Sequence, residues 1–380
     1  FSSRRRHTRL RTVTGVQTCA LPICFAVTVS YIRDTRDGVF GIDRTASALG
    51  VDYVEARETH SFDPGLWGQL RRLVRERQID IVHAHDYKTD LLAWLLARVE
   101  PVTPLSTVHG WTGNTPRERW LYYPADKRLL AWFPALVAVS FEIRDELVRH
   151  GADPDRVVTI LNGIDHRAFR RLPGTGTDVR ASLGFSGSDV VLGTVGRLEQ
   201  QKRFDLLIDA FAALHAGRPD LRLLIAGDGS LRARLQAQVA RLGLGDVVCL
   251  AGHRSDIADL HSAMDVFVQS SDYEGTPNAV LEAMALETPI IATAAGGTAD
   301  IARPSLDAIV VPPGNARALA QAIGEALGNP DAASARVASA RHRVETILSF
   351  DARMDALESL YVRLQEGRQR ARPAPMVART

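Results

Sequence analysis

The densest group of reactive side chains lies in Ser271-Asp-Tyr-Glu274-Gly275-Thr276-Pro277-Asn278-Ala-Val-Leu-Glu282. Thr276 reads as an N-cap and Pro277 as the first helical residue, so a helix starts with free backbone N–H groups beside Glu274. Glu282 follows about a turn and a half into that helix. One carboxylate therefore sits at a loop mouth and the other deeper. Carboxylates bind vicinal sugar hydroxyls, and a helix N-terminus suits an anion. Taken alone, Glu-x7-Glu is more simply a surface helix with two solvated acids.

Three further segments change that balance. Val195-Gly196-Arg197-Leu-Glu-Gln-Gln-Lys202 follows an apolar strand pattern and opens a helical one, which puts a guanidinium fork and a compact ammonium on one loop. Gly227-Asp228-Gly229 ends a strand and permits close backbone approach, though the full Gly-x-Gly-x-x-Gly pattern is absent. Gly252-His253-Arg254 follows the next strand and suits the edge of a nucleotide base. Each loop alone would mean only a turn or solvated charge. Lysine is scarce, with Lys88, Lys127 and Lys202 against 43 arginines, so a lysine at 202 suggests a place where a point charge matters.

The elements that position these groups follow from hydrophobic periodicity. Strands are expected at 25–30, 51–55, 79–83, 104–109 and 135–140, with helical stretches at 64–77, 88–98, 116–131 and 141–150 between them. The rhythm restarts with strands at 190–195, 221–226, 247–251, 266–269, 289–292 and 309–311, and helices at 202–216, 230–242, 276–287 and 315–328. Strands alternating with helices make parallel sheets, here two Rossmann-like α/β domains in series. The expected division is an anomalous segment 1–24, a first domain 25–161, a hinge or linker 162–177, a second domain 178–348, a C-terminal helix 349–365 packing back on the first domain, and a disordered tail 366–380.

Composition agrees. Three hundred and eighty residues, 46% apolar and 24% charged, suit two domains with sizeable cores and exclude a collagen or a wholly disordered chain. The net charge of +2 hides a basic start, a basic end and a body, 25–365, at −6. Surplus charge on two tails is not a nucleic-acid footprint. Cys249 lies in an apolar run and reads as core, while Cys19 and Cys24 have no companion ligands for a metal. These three cysteines fit a reducing cytoplasm. Residues 1–24 resemble translated sequencing-adapter read-through more than a targeting signal.

Gly196-Arg197 with Lys202, Gly227-Asp228-Gly229, Gly252, Glu274-Gly275 with Glu282-Ala-Met, and Ala295-Gly-Gly297, in this order, resemble the donor domain of retaining glycosyltransferases of the GT-B fold, family four. The similarity runs from about Asn162 to Ser305. It implies two Rossmann-like domains facing across a cleft, with Arg197 and Lys202 clamping a donor diphosphate, Glu274 on the donor sugar and Glu282 on the ribose. Gly227, Asp228, Gly229, His253, Arg254, Gly275, Thr276, Pro277 and Asn278 complete the implied donor site. Asp300 departs from the Glu found in many members.

The same resemblance makes the first half the acceptor side. His85, His109 and Gly110 follow strands that end at the expected cleft, with His109 implied near the reacting sugar, whereas His83 reads as a satisfied core histidine. The family's first strand and its Gly-rich loop should precede residue 25. The expected activity is retaining transfer of a sugar from a UDP- or GDP-linked donor to a glycan, lipid-linked or small-molecule acceptor, with no metal or other cofactor. The alternatives are a nucleotide-sugar 2-epimerase of the same architecture and a donor-binding remnant impaired in catalysis. A cytoplasmic enzyme is expected. The base- and aromatic-rich segment 117–133 reads first as a helix whose aromatics pack on the sheet, and second as a weak peripheral contact with the inner membrane.

Overall fold

The computed structural model describes residues 2–3, 25–34, 46–48, 50–60, 63–111, 116–172 and 174–371. Most of the anomalous segment (4–24, with Cys19 and Cys24), Pro173 of the expected linker and the last nine residues lie outside these. The chain divides into two compact units, Phe1–Ala138 with Arg144–Ile160 and Met354–Thr380, and Val139–Ile143 with Leu161–Arg353.

In the first unit the strands are β1 (Ser2–Ser3), β2 (Ala26–Asp34), β3 (Asp52–Glu58), β4 (Ile81–Ala84), β5 (Thr103–Val108), β6 (Leu136–Ala138) and β7 (Val157–Thr159), in the order β3-β2-β1-β4-β5-β6-β7. Every pairing is parallel except those of β1, which runs antiparallel between β2 and β4 with Ser2 opposite Val27 and Ile81. Leu105, Leu136 and Val137 are almost fully buried, as expected for parallel strands covered on both faces. The helix Tyr87–Val99 begins with a capping box in which Asp86 accepts from the Lys88 and Thr89 amides and Thr89 Oγ1 accepts from the Asp86 amide. Thr89 Oγ1 also accepts from the His85 amide, 3.1 Å away, which fixes the end of β4.

The segment at 117–133 departs from the packed helix expected of it. It forms one π-helical turn, Glu118–Tyr122, followed by the α-helix Tyr123–Leu130. Leu130 and Phe133 are buried and Tyr122 stacks on Tyr87, but Trp120 is 84% and Trp132 71% exposed. The wide π turn changes the angular phase, so the aromatics do not share the buried stripe.

The second unit carries β8 (Val190–Val195), β9 (Leu221–Ala226), β10 (Val248–Gly252), β11 (Val266–Gln269), β12 (Ile290–Thr293) and β13 (Ile309–Val311), all parallel, in the order β10-β9-β8-β11-β12-β13. This is the 3-2-1-4-5-6 order of dinucleotide-binding sheets. Alternate residues of β8 serve the two faces: Leu192 joins a layer with Leu207, Phe211 and Ile323, and Val191 a layer with Leu260, Met284 and Val344. Gly193 is required by the second layer, because a Cβ there would lie 2.3 Å from Met264.

Two boundaries differ from expectation. The expected linker 162–177 is packed structure: Ile164 exchanges backbone hydrogen bonds with Leu348 and Phe350, and a helix starts at Thr175. A Cβ at Gly163 would lie 2.5 Å from the Ser349 carbonyl, so glycine allows that close pairing. The last helix, Phe350–Ala371, continues past the expected start of the disordered tail at 366. Arg368 secures it by donating to the Asp80 carbonyl and carboxylate at 2.7 and 3.0 Å.

Candidate functional site

In an open parallel sheet of this order, the crevice lies at the carboxyl ends of the strands where the order reverses. In the second unit that point falls between β8 and β11. The loop after β8 holds Gly196–Lys202, and the loop after β11 holds Ser270–Pro277.

The β8 loop is tied to its neighbours through the backbone. Gly196 N–H donates to Ala226, Leu198 to Asp228, and Gly227 to Gly252, at 2.7–2.9 Å. A Cβ on Gly227, which has φ +142°, would lie 1.8 Å from the Gly196 carbonyl oxygen. One on Gly229 would lie 2.7 Å from that of Leu198. The Gly-Asp-Gly signal is therefore a demand for close loop packing. Asp228 itself serves the turn, accepting from the Gly229 amide at 2.9 Å. Arg197 stands exposed on the loop, and beside it Glu199 accepts from Ser230 Oγ at 2.7 Å.

A short 3-10 turn, Gln200–Lys202, then swings Lys202 toward the β11 loop, and Arg203 reverses the chain at φ 49°. Lys202 Nζ lies 2.6 Å from Glu274 Oε1, with side chains only 19% and 7% exposed. Ser271 Oγ donates to the same oxygen at 2.6 Å, and Gln201 Nε2 lies 3.4 Å from Oε2. The two loops are sewn together around this pair: Ser270 Oγ donates to the Lys202 carbonyl, the Asp272 amide to the Gln201 carbonyl, and Gln201 Nε2 to the Tyr273 carbonyl. Below Glu274 lies the loop after β12. Gly296, at φ +53°, leaves no room for a Cβ, which would sit 1.7 Å from the Glu274 carbonyl oxygen, and Gly297 donates to Gly275.

The helix bearing Glu282 spans Asn278–Ala285. It starts later than expected. Pro277 occupies the cap position without a side-chain cap bond, and Thr276 donates its hydroxyl to the Val139 carbonyl at 2.6 Å instead of capping. Asn278 Oδ1 accepts from Asn162, whose Oδ1 in turn accepts from the buried Arg353. Burial pushes the Glu282 carboxyl up to about 7, against the opposing effect of the nearby Lys202 charge. One ammonium thus serves two carboxylates in different environments.

The structure brings Lys202, Glu274, Gly275 and Glu282 together as expected, with Arg197 on the same loop. On the loop after β10, Arg254 Nε donates to Asp256 at 2.8 Å, and His253 is exposed beside it. Asp300 accepts from the Phe141 amide at 2.9 Å, so its role is at least partly to cap a chain turn. Ser271 and Gln201 were not assigned from the sequence. Ser271 stood inside the motif, three residues before Glu274, and that spacing was the available signal. Gln201, between the two loop cations, carried no signal of its own, yet it is 8% exposed.

In the first unit, His85 and His109 are exposed at the ends of β4 and β5, with His85 Nδ1 3.2 Å from His109 Nε2 and Gly110 at φ +102° just beyond. His83 is engaged on both sides, by Tyr361 Oη at 2.5 Å and Thr107 Oγ1 at 2.7 Å. Among the described residues no three His, Cys, Asp or Glu side chains are grouped to hold a metal ion, and no helix is long and apolar enough to cross a membrane.

The second of the two α/β units thus carries a cation and two carboxylates at its strand-order reversal. The chain matches the model of glycosyl transferases group 1 over residues 177–343 and that of glycosyltransferase family 4 over 27–168. It is 33% identical over 283 residues to a putative glycosyltransferase, EpsD, of Bacillus subtilis, covering 71% of this chain and 74% of that one. It is 30% identical to a D-inositol 3-phosphate glycosyltransferase of Streptomyces coelicolor, covering 68% and 63%. The solved structure of Anabaena HepE in complex with UDP-glucose superposes with a TM-score of 0.78 at 17% identity, over 88% of this chain and 99% of that one. The chain belongs to the group 1 glycosyltransferases of family four, and it is a glycosyltransferase that uses a nucleotide-sugar donor.

Proposed function

We propose that this enzyme transfers a sugar from a UDP- or GDP-linked donor with retention of anomeric configuration and without a metal. The observation that carries the reading is the Lys202–Glu274 pair at the β8–β11 switch point, 2.6 Å apart and largely shielded from water. Lys202 supplies a point charge for the diphosphate, and the exposed Arg197 a fork for its outer oxygens. Glu274, held by Ser271 and Gln201, takes the hydroxyls of the donor sugar. Glu282 takes the ribose diol.

Cleavage of the anomeric C–O bond builds positive charge on the sugar and negative charge on the departing diphosphate. Fixed cations at the leaving group, worth most in a shielded site, stabilise that charge. To His109, 3.2 Å from His85, we assign the role of the imidazole that serves the reacting sugar. The comparison proteins bound to UDP and UDP-glucose support a uridine donor first. The acceptor is a glycan, lipid-linked or small-molecule hydroxyl.

The test is turnover of UDP- and GDP-sugars followed by NMR of the product. Retained configuration, loss of transfer in Glu274→Ala, a raised donor KM in Lys202→Ala and unchanged turnover in chelator are expected. An inverted product overturns retention. Activity lost to chelator and restored by magnesium or manganese overturns the metal-free reading. Conversion of donor to an isomer without acceptor would make the protein an epimerase.

A further inference from the structure

We infer that the Lys202–Glu274 ion pair makes the donor site discriminate an intact nucleotide sugar from the bare nucleoside diphosphate, so that the enzyme holds its product nucleotide loosely. This rests on the reading of Lys202 as diphosphate ligand and Glu274 as sugar ligand. The two side chains compete for each other before they serve a ligand. Glu274 Oε1 takes both the Lys202 ammonium and the Ser271 hydroxyl at 2.6 Å, and the pair is mostly removed from water.

A nucleoside diphosphate arriving at Lys202 must share or displace that ammonium. Its terminal phosphate is then left near a carboxylate that has lost part of its counter-charge, and like charges in a shielded site repel. Ser271 and Gln201 keep the carboxylate in place, so it does not swing away from the repulsion.

The nucleotide sugar meets a different balance. Its outer phosphate is an ester and carries one charge fewer. Its sugar hydroxyls donate to Glu274 and replace what Lys202 withdraws. Glu274 therefore assists the donor and opposes the product, and breaking the anomeric bond converts the first situation into the second. The one carboxylate both orients the sugar and promotes departure of the spent nucleotide. In this way it acts as a specificity-determining residue between substrate and product.

Calorimetric titration of the full chain with UDP, UDP-glucose, GDP and GDP-mannose tests this. Removing the Glu274 charge in Glu274→Gln is expected to tighten binding of the bare nucleoside diphosphate about fivefold or more while the corresponding nucleotide sugar binds no better or more weakly, reversing the preference. Glu274→Ala is expected to act in the same direction, and thermal unfolding of both variants reports whether they are folded. Lys202→Met is expected to weaken both kinds of ligand. If Lys202→Met weakens both but neither Glu274 variant binds the bare diphosphate more tightly, the discrimination is overturned and the site reading stands. If Lys202→Met weakens neither, or the wild type binds none of the four probes, the site reading itself fails and the inference with it.

Discussion

Nδ1 of His85 lies 3.2 Å from Nε2 of His109, at the ends of adjacent strands β4 and β5. A hydrogen bond between two imidazoles needs one ring nitrogen as donor and the other as acceptor, so the protonation of one fixes the tautomer of the other. On the proposed reading, in which His109 serves the reacting sugar, His85 is a positioning residue. His109→Ala should lower kcat about a hundredfold. His85→Ala should lower kcat more than it raises KM and should shift the acidic limb of the pH profile. His85→Asn, whose amide can occupy the Nδ1 position, should recover part of both. Identical pH profiles in wild type and His85→Ala would refute the coupling.

Glu282 titrates near neutrality because burial raises its carboxyl from the ordinary range to about 7. The native state binds this proton more tightly than the unfolded chain, so the group's contribution to stability is full below about pH 4.5 and is lost as pH rises toward 7. On the proposed reading the ionised Glu282 accepts from the ribose diol, so donor affinity should rise over the same interval. Glu282→Gln should flatten the stability slope and remove the pH dependence of donor binding. Denaturant unfolding and donor titration between pH 5 and 8, at about unit steps, would measure both.

In the first unit, Asp90 and Asp126 are two further raised carboxyls, with no place in the proposed chemistry. Both are buried, and the Trp111 indole donates to Asp126 at 2.9 Å. Burial, then the Asp126 charge, holds the Asp90 carboxyl well above its ordinary range, and burial lifts that of Asp126 to about 6. Both groups thus bind protons more tightly in the folded chain, and their contribution to stability is lost as pH rises through about 6. Asp126→Asn keeps the shape and a hydrogen-bond donor while removing one charge. It should be more stable than wild type at about pH 8 and should lose that advantage near pH 5. A variant equally destabilised at both values would show that the carboxylate supports the packing whatever its protonation.

Gly227 and Gly296 hold the donor site through close backbone contact, as the 1.8 and 1.7 Å positions of an added Cβ demand. Gly296→Ala must displace Glu274's own backbone, at a φ that alanine tolerates poorly, and should cost about 2 kcal/mol or more of stability. Gly227→Ala must part the loops after β8 and β9. Donor affinity should fall in both before global unfolding, whereas Gly314→Ala, with positive φ but open space at the Cβ, should leave donor binding intact. Donor titration alongside thermal unfolding separates the two effects.

Much of this could be read from residue types. The six strands of the second unit fall within one or two residues of their apolar runs, because strands buried on both faces have an unmistakable pattern. β7, three residues long, has no such signature and was not anticipated. The exposure of Trp120 and Trp132 was hidden by the π-helical turn, which an α-helical period cannot register. The lysine scarcity proved informative in an unforeseen way. Lys88, Lys127 and Lys202 each pair with a glutamate, Glu58, Glu146 and Glu274, so a place at the donor site belongs to Lys202 by position and not by type.

By itself the sequence determined the two α/β repeats, the loops that follow each strand and the glycines those loops require. These are local properties of periodicity and backbone freedom. Only the tertiary structure decided that the loop after β8 meets the loop after β11 as well as the one after β9, which brings Lys202 to Glu274 across 72 positions. The order of strands in a sheet depends on which apolar faces pack together and on the handed crossovers between them, and no local pattern encodes it. The burial that lifts Glu282 and the bonds that hold Glu274 arise from that same packing.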